Sequence, residues 1–88
     1  MEINLEDHVK EFIRALPDKD RRVISEHIDR LSEHPNATGN IKKLHTKKSR
    51  WRMHISLKYT LFYYIDSNIV WIDQIMTIEQ AHKKYGKI

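Results

Sequence analysis

Residues 51–75 read WRMHISLKYTLFYYIDSNIVWIDQI, and the periods inside this stretch decide the fold. Trp51, Met53 and Ile55 alternate with Arg52, His54 and Ser56, the period of two that gives a strand one apolar and one polar face. Tyr59 to Ile65 is aromatic and β-branched, a composition that packs well on a pleated surface. Ile69 to Ile75 has the same character and follows across Asp66, Ser67 and Asn68, a short run of turn formers. The spacing predicts an antiparallel hairpin, and the strand from Trp51 extends it to a meander.

Upstream the period changes. Leu5, Val9, Phe12, Ile13 and Leu16 recur at helical spacing, predicting an amphipathic helix that ends at Pro17. A second helix starts after Pro17-Asp18 with Asp18 as its cap, carries Val23, Ile24, Ile28 and Leu31 on one face, and stops at His34-Pro35. The two stripes pack as a helical hairpin, and residues 36–40 form a turn-rich loop. Downstream, Thr77 to Tyr85 returns to helix formers, with Thr77 as cap and Glu79 or Gln80 near the capping-box position. Met1 to Asn4 offers one more edge strand. Helices segregated from a meander define an α+β fold: an N-terminal helical hairpin packed on a small antiparallel sheet, with a short C-terminal helix.

A chain of 88 residues has room for one core, so residues 1–88 are expected to form a single domain. There is no Cys, hence no disulfide framework, thiolate zinc site or cysteine nucleophile, and a reducing compartment fits best. The N-terminal MEINLEDHVKEFIRALP has early acids and no continuous apolar stretch, unlike a signal peptide or membrane span. A cytoplasmic protein with no membrane partner is expected. His8, His27, His34 and His45 lack the spacing and acidic company of a zinc site. With Gly39 and Gly86 as the two glycines, no glycine-rich phosphate loop can be built, and neither metal nor cofactor is expected.

Charge is polarised along the chain. Residues 1–40 hold nine acidic and six basic residues, residues 41–88 three acidic and ten basic, for a net charge of +4. The window from Ile41 to Thr60 concentrates Lys42, Lys43, Lys47, Lys48, Arg50, Arg52 and Lys58, with His45 and His54 and no acid. Such a patch suits backbone phosphates. Trp51, Tyr59, Tyr63 and Tyr64 are candidates for stacking on single-stranded bases, although Trp51 on the apolar side of its strand reads more readily as core. Arg52 and His54 fall on the opposite side, about 7 Å apart and pointing the same way. RNA cleavage without a metal asks for a base, a cation on the phosphate and an acid for the leaving oxygen. An imidazole titrates near neutral pH, which suits His54 as the base, with Arg52, Lys47 and Lys48 as cations. Glu79, His82 and Tyr85 are spaced three apart on the last helix, so His82 or Tyr85 is the candidate second proton-transfer group.

In this order of elements the chain resembles the RelE/ParE superfamily of toxin–antitoxin toxins. FIRALPDKDRRVISEHIDRLSEHP is similar to the family's helical hairpin, NIKKLHTKKSRWRMHISLKYTLFYYID to its Lys-Leu, Trp-Arg-aliphatic and Tyr-x-Ile-Asp stretch, and IVWIDQIMTIEQAHKKYG to its last strand and terminal helix. The resemblance covers nearly the whole chain. It implies a toxin neutralised by a cognate antitoxin protein and, in the RelE branch, a metal-independent endoribonuclease that cleaves mRNA on the ribosome. It also implies catalytic roles for Arg52, His54 and Tyr85, with His82 and the loop lysines sharing the work. Two departures stand out: Tyr59-Thr60 where the family commonly has Tyr-Arg, and Met76-Thr77-Ile78-Glu79 where it has a basic segment. The alternatives these leave open are a ParE-like DNA gyrase inhibitor and a catalytically degenerate RelE-like binding protein.

Overall fold

The computed structural model describes residues 1–33, 40–44 and 49–86. Its elements follow the order β1 (Glu2–Leu5), α1 (Asp7–Arg14), α2 (Asp18–Leu31), β2 (Ile41–Leu44), β3 (Arg50–Ile55), β4 (Tyr59–Asp66), β5 (Ile69–Thr77) and α3 (Ile78–Tyr85). The five strands form one sheet in the order β1-β5-β4-β3-β2. The α+β architecture is as expected from the periods. The β3–β4–β5 meander is the predicted one, with β4 and β5 joined through Ser67 and Asn68 at φ 52° and 62°. Positive φ at both positions gives a two-residue turn the twist that matches its strands.

The sheet is larger and more mixed than the period-two segments alone indicate. β2 pairs antiparallel with β3, from Ile41 opposite Met53 to Leu44 opposite Arg50. Its exposure pattern has two outward lysines between two half-buried aliphatics, so no alternation marks it in the sequence. β1 joins as the expected edge strand but runs parallel to β5, Ile3 beside Val70 and Leu5 beside Ile72. Leu5 therefore belongs to β1 and not to the first helix, which begins after Glu6 in extended backbone at φ −68° and ψ 154°. Asp18 is also displaced from its expected place. Pro17 holds the N-cap position, and Asp18 lies in the first turn, where its carboxylate pairs with Arg21 and faces the positive end of the helix dipole. The predicted stop at His34-Pro35 lies outside the described residues.

One face of the sheet is covered by α1 over β5 and α2 over β3. Val9, Ile13, Ile24, Ile28 and Leu31 from the helices meet Met53, Ile55, Leu61, Tyr63, Val70, Ile72 and Ile75 from the strands. These apolar groups leave water together, at about 25 cal/mol for each Å² removed. A polar lock fastens the second helix to the β3–β4 turn. Lys58 Nζ donates to Asp20 Oδ2 at 2.7 Å and the Tyr59 hydroxyl donates to the same oxygen at 2.6 Å. The two donors, Lys58 first, hold the Asp20 carboxyl below its ordinary value.

Candidate functional site

The other face of β3, β4 and β5 is built in three rungs, because residues two apart on a strand share a side and the register aligns them across the sheet. One rung joins His54, Thr60 and Met76; the next joins Lys42, Arg52, Phe62 and Gln74; the third joins Leu44, Arg50, Tyr64, Trp71 and Asn4. A β-bulge makes this arrangement possible. Phe62 pairs with Gln74 and Tyr63 with Ile72, so Asp73 is the extra residue. The phase of β5 shifts there, letting Ile72 and Ile75 both enter the core while Trp71 and Gln74 both stand on the open face. The Asp73 carboxylate accepts from Arg50 Nη2 at 2.8 Å, and its carbonyl lies 2.6 Å from His8 Nε2.

α3 closes over this face. Thr77 and Gln80 form a reciprocal capping box, with bonds of 3.0 and 3.1 Å between each side chain and the other's amide, so the expected cap is present and Gln80, not Glu79, completes it. The helix buries Ala81 and lays Tyr85 on Phe62, ring centroids 5.1 Å apart. The Tyr85 hydroxyl donates to Gln74 Oε1 at 2.6 Å. Tyr85 thus sits above the Arg52 rung, with His54 one rung away on β3.

Arg52 is half-buried, and its Nη1 donates at 2.6 Å to the Asn40 carbonyl, which also accepts the His54 backbone N–H at 3.1 Å. Its Nε is buried with no hydrogen-bond partner among the described residues. Burial draws its pKa below the usual arginine range, yet a guanidinium stays charged at any physiological pH. A charged, incompletely satisfied guanidinium attracts an anion, since a buried donor left unmade is costly. Arg50 differs. Its bond to Asp73 raises its pKa, with smaller contributions from Tyr85 and Tyr64, so its charge is already balanced.

The structure gathers Arg52, His54, Tyr85, Arg50 and Lys42 on one face. Three of the other expected residues are placed elsewhere. Lys58 is drawn to Asp20 on the helix-covered side, and Lys43 lies over the Trp51 ring at 5.7 Å, a position whose register partner faces the helices. His82 lines an open groove of about 680 Å³ with Leu57, Lys58, Thr77, Ile78, Glu79 and Lys83, beside α3. Lys47 and Lys48, like His45, lie outside the described residues. Of the four candidate stacking aromatics, Tyr59 and Tyr63 are buried in the core and Trp51 packs against it, leaving Tyr64 on the open face. Thr60 is fully buried beside His54, its hydroxyl without a hydrogen-bond partner among the described residues. Phe62, Gln74 and Trp71 were not legible as site residues, because only the register places them opposite Arg52 and Arg50.

A five-stranded mixed sheet with a helical hairpin on one face and a C-terminal helix on the other is the RelE-like α+β fold. Among solved structures, the chain is similar to the isolated E. coli RelE toxin at a TM-score of 0.73, with 16% identity over 94% of this chain and 96% of that one. It is similar to a chain of the RelB–RelE antitoxin–toxin complex from Methanococcus jannaschii at 0.72, with 12% identity over 92% and 96%. For the intact E. coli RelBE toxin–antitoxin complex the TM-score is 0.71, with 17% identity over 84% and 92%. No family model and no curated protein matches the sequence. Among the described residues no helix is long and apolar enough to cross a membrane.

Proposed function

We propose that this chain is the toxin of a toxin–antitoxin pair and a ribosome-dependent, metal-independent mRNA endonuclease acting in the cytoplasm. The observation that carries this reading is the placing of Arg52, His54 and Tyr85 on adjacent rungs of the open face of a RelE-like fold. In the proposed reaction His54 takes the proton of a 2′-hydroxyl, whose oxygen attacks phosphorus while the bond to the 5′-oxygen breaks. Tyr85 gives the departing oxygen its proton, and Arg52 holds the charge that builds on the phosphoryl oxygens. Lys42 steers the strand, and the loop lysines Lys47 and Lys48 join it in this reading. Two of the similar structures are complexes with RelB antitoxins, which supports a partner here too. β2 ends the sheet, so an acidic segment adding a strand to its outer edge would cover Lys42 and Arg52 together.

Induced without a partner, the protein is expected to arrest growth with ribosome-dependent cuts in mRNA, and His54→Ala to relieve the arrest at equal protein level. Intact messages during arrest would sink the nuclease reading. A second reading has an observation in its favour: Thr60 is buried and Ile78 is the first residue of α3, so neither of the two expected cations stands at the site. DNA breaks and an SOS response with mRNA unharmed would select the gyrase inhibitor. Unchanged growth would select the degenerate binding protein.

A further inference from the structure

The third rung takes no part in proton transfer, yet it is the most aromatic strip of the open face. Tyr64 and Trp71 are direct cross-strand partners, with ring centroids 6.3 Å apart and planes 13° from parallel. The Arg50 guanidinium carbon lies 5.8 Å from the Tyr64 centroid on the other flank, and its ion pair with Asp73 fixes its position. Arg50, Tyr64 and Trp71 thus form a ladder of flat groups, with both rings half-exposed. Beyond it Trp71 lines an open cleft of about 420 Å³ that it shares with Asn4, Glu6, Asp7 and Lys10.

We propose that this ladder is a nucleobase-stacking subsite for single-stranded RNA, in which a base lies against Trp71 while the phosphates run along Lys42 and Arg52. The proposal deepens the RNA reading above and rests on it. Charge sets the orientation. Glu6 and Asp7 outweigh Lys10 and disfavour phosphate at the cleft end, and Arg50 is already balanced by Asp73, whereas Lys42 and Arg52 have no carboxylate partner among the described residues. The two ends lie about 7 Å apart along the strands and about 10 Å across them. Stacking needs only a π-face, which every base has, so the platform accepts any base. The cleft adds a preference. Carboxylates accept from the exocyclic amino group of cytosine or adenine, whereas the exocyclic oxygens of uracil only accept and face like charge, so bases bearing amino groups are preferred.

The test is titration with short oligocytidylate and oligouridylate, followed by tryptophan fluorescence in a Trp51→Phe background where Trp71 is the remaining tryptophan. Quenching is expected, stronger for oligocytidylate. In the otherwise unaltered chain, Trp71→Ala weakens oligocytidylate binding by about fivefold or more without changing its salt dependence. Trp71→Phe keeps most of the affinity, and Lys42→Ala lowers the salt slope by about one. Thermal melts establish that each variant folds. Full affinity in folded Trp71→Ala, binding without quenching, no binding, or a loss confined to an antitoxin protein partner would each overturn the subsite. The titration is independent of the growth assay, so a protein that quenches on oligocytidylate but leaves messages intact keeps the subsite and loses the nuclease.

Discussion

The two faces of the sheet are made by the same strands and serve opposite ends. Neighbours on β4 show the contrast: Leu61 and Tyr63 point into a core closed by two helices, while Thr60, Phe62 and Tyr64 stand under or beside one short helix. On the covered face the core groups are mostly apolar, and the Tyr59 hydroxyl is tied to a carboxylate. The open face keeps two buried polar atoms, Arg52 Nε and Thr60 Oγ1, without hydrogen-bond partners among the described residues. Stability was kept on the covered face and given up at those two atoms of the open face.

Adjacent residues on β4 offer the sharpest way to break this comparison. Leu61→Ala removes a fully buried side chain from the core and should lower unfolding free energy by about 3 kcal/mol in urea titration. Thr60→Val, one residue away and equally buried, removes an unpaired hydroxyl and should leave stability unchanged or raise it by up to about 1 kcal/mol. Similar losses at both positions would mean that the open face is packed for stability after all. Thr77→Ala is expected to be smaller than the core change, about 1 kcal/mol, by removing the cap of α3. Hydrogen exchange should show the loss concentrated in residues 78–85, with the meander still protected.

The remaining test concerns the covered face and depends on pH. Lys58 and Tyr59 hold the Asp20 carboxyl below its ordinary value, so the folded state binds that proton less readily than the unfolded chain. Its contribution is full above the unfolded pKa near 4 and disappears as pH falls through the lower folded value. Asp20→Asn should therefore flatten the fall in melting temperature below about pH 4, whereas an unchanged acid profile would show that the lock adds nothing.

Much of this arrangement is written locally in the chain, and the rest depends on pairing. Arg52 and His54 were legible because Trp51, Met53 and Ile55 fix the phase of β3. The helical hairpin was legible from two apolar stripes, and α3 from Thr77. β2 was not, since Lys42 and Lys43 look like loop charges until β3 is beside them. The bulge left a trace, the three-residue step from Ile72 to Ile75, but its consequence for Trp71 and Gln74 needs the register with β4. Nor can periodicity reveal that β1 runs parallel to β5: direction is a property of the chain's path, not of four residues.

That parallel pairing has a consequence in time. β1 emerges before the other strands, but Glu2 must wait for Ile69, a delay of roughly 3–13 s at about 5–20 residues per second. Trp71, Gln74 and Tyr85 emerge later still, so the open face is completed only when β5 and α3 have been made. A nascent chain holding its helices and first hairpin has Arg52 and His54 in place before Trp71, Gln74 and Tyr85 exist.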